Sequence, residues 1–163
     1  MEQPVFVETH TWDGLPVSPE PPFGATVVVY RCGAVQEFLL LHRAHRGPDF
    51  EGDWAWGPPA GARLPGEAVF ACACRELAEE TGLRLHPVAV DAWDDPGWAV
   101  FMAQAPAGAR VRLSPEHDRF VWVRLEEAVA RCRPRLVARQ LEVAAREIAR
   151  RAGGSHPRSH PGR

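Results

Sequence analysis

The stretch GARLPGEAVFACACRELAEETGL, Gly61 to Leu83, decides how the rest of the chain is read. Its second half predicts a helix from about Glu67 to Thr81, with Gly82 placed to end it at the C′ position. Glu76, Glu79 and Glu80 then fall near the helix C-terminus, where the macrodipole already places partial negative charge. They also repel one another at i, i+3 and i+4 spacing. On a helical wheel Phe70, Ala73, Cys74, Leu77 and Thr81 form a small apolar side expected to pack on a sheet. Cys72, Glu76, Glu79 and Glu80 form a separate stripe, with Glu67 near the N-terminal end and Arg75 beside the acids.

Two readings of this stripe compete. A solvated acidic face costs about 0.2–0.5 kcal/mol per like-charged pair. In a cleft, two carboxylates ~4 Å apart repel by about 4 kcal/mol at an effective dielectric of about 20. Such a cluster needs neutralising, and a hard divalent cation with oxygen ligands does so directly. Mg²⁺ binds through one or two carboxylates, waters and substrate phosphates, so the stripe is expected to be a metal platform for a phosphate-bearing ligand.

Working outward, FGATVVVYR (Phe23–Arg31) and QEFLLLHR (Gln36–Arg43) predict paired strands. Residues 1–22 suggest an extended arm, and WAWGPPAG (Trp54–Gly61) an extended segment ending in a proline-stiffened turn. LRLHPVAVDAW and WAVFMAQ flank a hairpin turn at Asp94–Gly97. RFVWVRL (Arg119–Leu125) alternates like a strand, and LEEAVARC is a short helix broken at Pro134. A longer helix to about Arg151 carries the apolar stripe Val137, Leu141, Ala144 and Ile148. The last residues, 152–163, predict a disordered tail. The expectation is one α/β domain over 23–151, with helices on both sides of a mixed sheet.

The 163 residues are 45% hydrophobic, enough for one core, and the formal net charge of −2 gives no overall case for binding nucleic acid or an anionic membrane. All basic side chains are arginine. The four cysteines lack disulfide or zinc spacing, which predicts free thiols in a reducing cytoplasm. The first ten residues do not read as a signal peptide, and no apolar stretch approaches the ~20 residues of a membrane span.

The spacing is more specific than the composition. Gly61, Glu67 and the run Arg75-Glu76-Leu77-Ala78-Glu79-Glu80-Thr81-Gly82-Leu83 match, position for position, the signature of the Nudix hydrolases, and the flanking pattern resembles that family over about 23–150. The resemblance implies an α/β/α sandwich and hydrolysis of a nucleoside diphosphate linked to another moiety. It implies attack of water on phosphorus, with Mg²⁺ or Mn²⁺ as cofactor. By similarity Glu76, Glu79 and Glu80 carry the metals, one of them also a candidate to take a proton from the attacking water, and Gly61 brings its backbone close to them. Glu67 lies near the metals or orients water, and Arg75 holds carboxylates in position. Some subgroups take their general base from a loop after the motif, where Glu116 stands here; His117 beside it is expected to be structural or solvent-facing. The turn before the motif and SPEHDRFVWV (Ser114–Val123) resemble asymmetric dinucleoside tetraphosphate hydrolases. The second run also resembles nucleoside triphosphate and dihydroneopterin triphosphate pyrophosphohydrolases. Ala60 stands where the first group commonly has a lysine, a role open to Arg43, Arg46 or Arg63. Phe120, Trp54 and Trp56 are candidates to stack a base. A nucleotide-binding regulatory module and an RNA 5′-end pyrophosphohydrolase stay open as alternatives, as does a homodimer formed through the arm.

Overall fold

The computed structural model describes residues 9–11 and 13–154. Ten elements follow in order: β1 Gly24–Cys32, β2 Gln36–Arg43, β3 Trp56–Gly57, β4 Ala60–Ala62, α1 Val69–Thr81, β5 Val88–Ala89, β6 Ala99–Gln104, β7 His117–Val123, α2 Leu125–Arg131 and α3 Arg135–Gly153. The strands form one mixed sheet in the order β3-β2-β1-β6-β5, with β4 added to β1 and β7 to β2. β1 and β6 run parallel, and the other pairs antiparallel.

Strand alternation sorts the core into two layers. Val27, Val29, Leu39 and Leu41 face α1, where Cys72, Ala73 and Leu77 cover them. Val28, Phe38, Leu40, Val100 and Met102 face the other way, against Val137, Leu141, Ala144 and Ile148 of α3. Each fully buried leucine contributes about 1.5–3 kcal/mol. The expected sandwich and the expected stripe of α3 are both present.

The β1–β2 ladder joins Tyr30–Cys32 to Gln36–Phe38. Farther along, Gly24–Thr26 of β1 pair with β4, and Leu41–His42 of β2 pair with β3. The segment of residues 56–62 therefore occupies the space between two parting strands, and the Val27 N–H donates to Pro59 O at 2.8 Å. This wedge carries Gly61 and Ala60 over the C-terminal half of α1.

Four local expectations change. α1 begins at Val69, because the chain at Glu67 is still in a turn: its N–H donates to Leu64 O, and Gly66 has φ 74°. The helix faces also differ from the wheel. Phe70 is 43% exposed, resting near His86 and Phe101, whereas Cys72 is fully buried. The acidic stripe faces protein, the β4 wedge, and Cys72 goes inside with it. The strand expected in residues 83–93 shrinks to Val88–Ala89, since Pro87 offers no N–H to a ladder. α3 continues to Gly153, two residues into the expected tail.

Gly82 ends α1 at φ 70°, donating its N–H to Ala78 O as its left-handed position requires. In the expected arm the chain turns between Thr11 and Leu15: the Thr11 N–H donates to Leu15 O at 2.7 Å, and Gly14 sits at φ 82°. Residues 1–8, Trp12 and most of the expected tail, 155–163, lie outside the described residues. No helix among the described residues is long and apolar enough to cross a membrane.

Candidate active site

The C-terminal half of α1, the β4 wedge and the start of β7 meet at one place. Glu80 is 5% exposed and accepts a hydrogen bond from the Ala60 N–H at 3.0 Å. Burial, reinforced by Glu76 and Glu116, pushes its carboxyl well above the usual range. Glu76 lies against Gly61: a Cβ added at Gly61 would collide with the Glu76 carboxyl. Burial raises Glu76 to about 7, although Arg75 pulls it down. Gly61→Ala is thus expected to displace Glu76 or the wedge, lowering stability by about 1–3 kcal/mol and kcat by about tenfold or more. Thermal melts and steady-state kinetics check both effects.

Arg75 organises the acids. Its guanidinium donates to Glu67 Oε2 at 2.8 Å, Glu76 Oε1 at 2.9 Å, Glu79 Oε2 at 3.2 Å and the Ala62 carbonyl at 3.0 Å. The hydrogen bond from Arg75 holds Glu67 below its ordinary range. Arg75 is thereby a positioning residue, tying helix to wedge. Cys72, buried behind it, has its thiol pushed up to about 12 by burial and then by Glu67, so it stays protonated and unreactive.

Chain pairing brings in the last members. Because β7 lies along β2 with His117 opposite Arg43, Glu116 arrives beside α1. Ligand atoms of Glu80, Glu116 and His117 all lie within 4.8 Å of one another. Glu116 is also raised, by burial first and then by Asp13. Burial and Arg43 hold His117 down at about 4, so it is neutral near pH 7, and its buried Nδ1 has no hydrogen-bond partner among the described residues. This set of hard oxygens plus one neutral imidazole, short of positive charge, fits a divalent cation. Glu79 is more exposed, with 59% of its side chain accessible.

The candidate phosphate ligands separate. Arg43 is exposed at the cluster and, among the described residues, makes no ion pair or hydrogen bond through its side chain; it lines a cavity of about 330 Å³ that also includes Glu80 and His117. Arg63 instead donates to the carbonyls of Pro22, Glu67 and Glu20, clamping the N-terminal segment. Arg46 lies over the Phe50 ring at 4.9 Å. Phe120, 38% exposed, is outside the cavity lining. Trp54 and Trp56 both line the cavity. Trp56 is buried and donates to Glu51, while Trp54 is 47% exposed and held at φ 67°. That left-handed backbone costs a non-glycine residue about 1–3 kcal/mol, and the Trp54 N–H to Arg133 O bond of 2.6 Å helps hold it.

Some residues here were not foreseen. His42, completely buried, places Nδ1 2.7 Å from Asp118 Oδ1 and Nε2 2.7 Å from Phe50 O, fixing the loop behind Arg43. Thr26, Trp98 and Gln140 also line the cavity. For Gln140 the sequence carried a signal, a polar residue between Val137 and Leu141 on an apolar stripe.

The family model described as NUDIX domain matches residues 22–147. The chain is 32% identical over 104 residues to the asymmetrical bis(5′-nucleosyl)-tetraphosphatase of Sus scrofa, covering 56% of this chain and 67% of that protein. It is 31% identical over 121 residues to the 8-oxo-dGDP phosphatase NUDT18 of Homo sapiens, covering 67% of this chain but only 36% of that protein. Among solved structures, an Ap4A hydrolase of C. elegans in a binary complex matches with a TM-score of 0.61 at 26% identity, over 77% of this chain and 96% of that one.

Proposed function

This chain belongs to the Nudix family, and from that premise we propose that it cleaves a pyrophosphate bond in a nucleoside diphosphate linked to another moiety, with Mg²⁺ or Mn²⁺ as cofactor. It is a pyrophosphohydrolase. The observation that carries the metal-dependent reading is the convergence of Glu76, Glu80 and Glu116, all with raised carboxyls, beside an unpaired Arg43 at the cavity. Acids so arranged await both a cation and an anion.

Glu80, Glu116 and Glu76 would hold the cation, with Glu79 at its exposed side and the Gly61 backbone against Glu76. The bound ion supplies charge neutralisation and a more acidic water. Arg43 binds phosphate oxygens, and its always-charged guanidinium suits a bidentate contact. Glu116, at the edge of this cluster next to Arg43, would take a proton from the attacking water. Arg75 and Glu67 keep Glu76 in place. A nucleoside triphosphate or dinucleoside polyphosphate is the substrate we favour, supported by likeness to the tetraphosphatase. The four free cysteines favour a reducing cytoplasm.

A screen of nucleoside triphosphates, dinucleoside polyphosphates, ADP-ribose and nucleotide sugars with Mg²⁺ or Mn²⁺ tests this reading. We expect metal-dependent cleavage of at least one, with ¹⁸O from water in a phosphate product. Cleavage that persists undiminished in EDTA, or no cleavage of any compound, would overturn it.

A further inference from the structure

α3 carries two polar side chains in its buried face, and their surroundings differ. Glu147, 3% exposed, accepts from the Asp91 N–H and from Arg150. Gln140, 6% exposed, makes no hydrogen bond through its amide among the described residues, yet it lines the cavity that reaches Glu80 and Arg43. The side chain is largely covered while its amide stays accessible to the cavity, free to meet a ligand. The neighbouring polar groups are already engaged: Trp98 Nε1 donates to Thr26 Oγ1 at 2.9 Å, and the Gly97 N–H donates to Asp95 Oδ1 at 2.8 Å. The same cavity is lined by the apolar or aromatic Pro58, Leu136, Val137 and the strained Trp54.

We propose that the part of the cavity at Gln140 is a nucleobase subsite in which Gln140 determines specificity. Its amide offers one acceptor and one donor side by side. It therefore pairs with a base edge that presents a neighbouring donor and acceptor, as adenine does with N6 and N7. Trp54 provides the stacking face, and flat heteroaromatic rings suit such a wall. Phosphates attached to that base through its sugar extend toward Arg43 and Glu80, which line the same cavity. This inference rests on the proposed function for the direction of the phosphates, but base binding is measurable without any hydrolysis.

The test is binding of the four common nucleoside 5′-monophosphates and of base-free ribose 5-phosphate, by tryptophan fluorescence and calorimetry in EDTA. Wild type should favour at least one nucleotide over ribose 5-phosphate and discriminate among bases. Gln140→Met should weaken the preferred nucleotide by about five- to tenfold, flatten the discrimination and leave ribose 5-phosphate unchanged. Its melting temperature should stay close to that of wild type, since the amide holds no partner within the described residues; loss of a structural glutamine would lower it. Trp54→Gly keeps the left-handed backbone and should weaken all nucleotides together. Equal binding of ribose 5-phosphate and nucleotides, or unaltered base preference in Gln140→Met, would overturn the subsite. Failure of hydrolysis alongside intact base discrimination would count against the proposed reaction and not against this subsite.

Discussion

Glu80→Gln should lower kcat by at least about a hundredfold, with the fold intact. Glutamine at this position still accepts the Ala60 N–H through its amide oxygen, so the link between α1 and the β4 wedge survives. What disappears is a negative charge from the group that also holds Glu116 and His117. In EDTA the variant should melt no lower than wild type, because it no longer buries a carboxyl whose charged form burial and Glu76 disfavour. Steady-state kinetics with saturating Mg²⁺, read beside thermal melts, separates the two effects. A kcat within threefold of wild type would remove Glu80 from the metal site. A large drop in melting temperature would make its role structural.

The second large effect is a pH dependence that the cation reverses. Glu76 titrates at about 7 in the folded chain against an ordinary 4.5. The folded state therefore binds this proton more tightly than the unfolded state does. Its stabilising contribution is full below pH 4.5 and is lost as pH rises through about 7. That interval corresponds to about 3 kcal/mol. Glu80 and Glu116 shift in the same direction. His117, lowered from 6.5 to about 4, works the other way, gaining stability as pH rises across that range. The net fall should be clearest above pH 6.5, where His117 is neutral in both states. Mg²⁺ competes with protons for these carboxylates, so its stabilising increment should grow steadily from pH 5.5 to pH 8. Melts in EDTA and in millimolar Mg²⁺ across this range give the difference directly. An increment independent of pH would contradict the assignment.

The readable parts of this protein were those governed by local periodicity. The strand at Gly24–Cys32, the glycine stop at Gly82 and the stripe Val137–Leu141–Ala144–Ile148 follow from neighbouring residues alone. The wheel of α1 put Phe70 on the packed side and Cys72 on the acidic stripe without telling which side the wedge would cover. In the fold the acidic stripe faces the β4 wedge, and Phe70 is left at the edge. Glu116 was legible only as a candidate, since its approach to Glu80 depends on β7 pairing with β2. The arginines were less legible still. Nothing local distinguishes Arg63, held by three carbonyls, from Arg43, whose guanidinium stays open to the cavity. Gln140 shows the same limit. Its polarity on an apolar stripe was visible, whereas its missing partner is a property of packing.

The central claim is that the carboxyl cluster of α1 and β7 binds a divalent cation in exchange for protons. Calorimetric titration of Mn²⁺ into the protein near pH 7, in two buffers of different ionisation enthalpy, measures uptake and proton release together. The account predicts saturable binding with release of about one proton or more per site, both strongly reduced in Glu80→Gln. Saturable binding without proton release, or binding unchanged by Glu80→Gln, would contradict it.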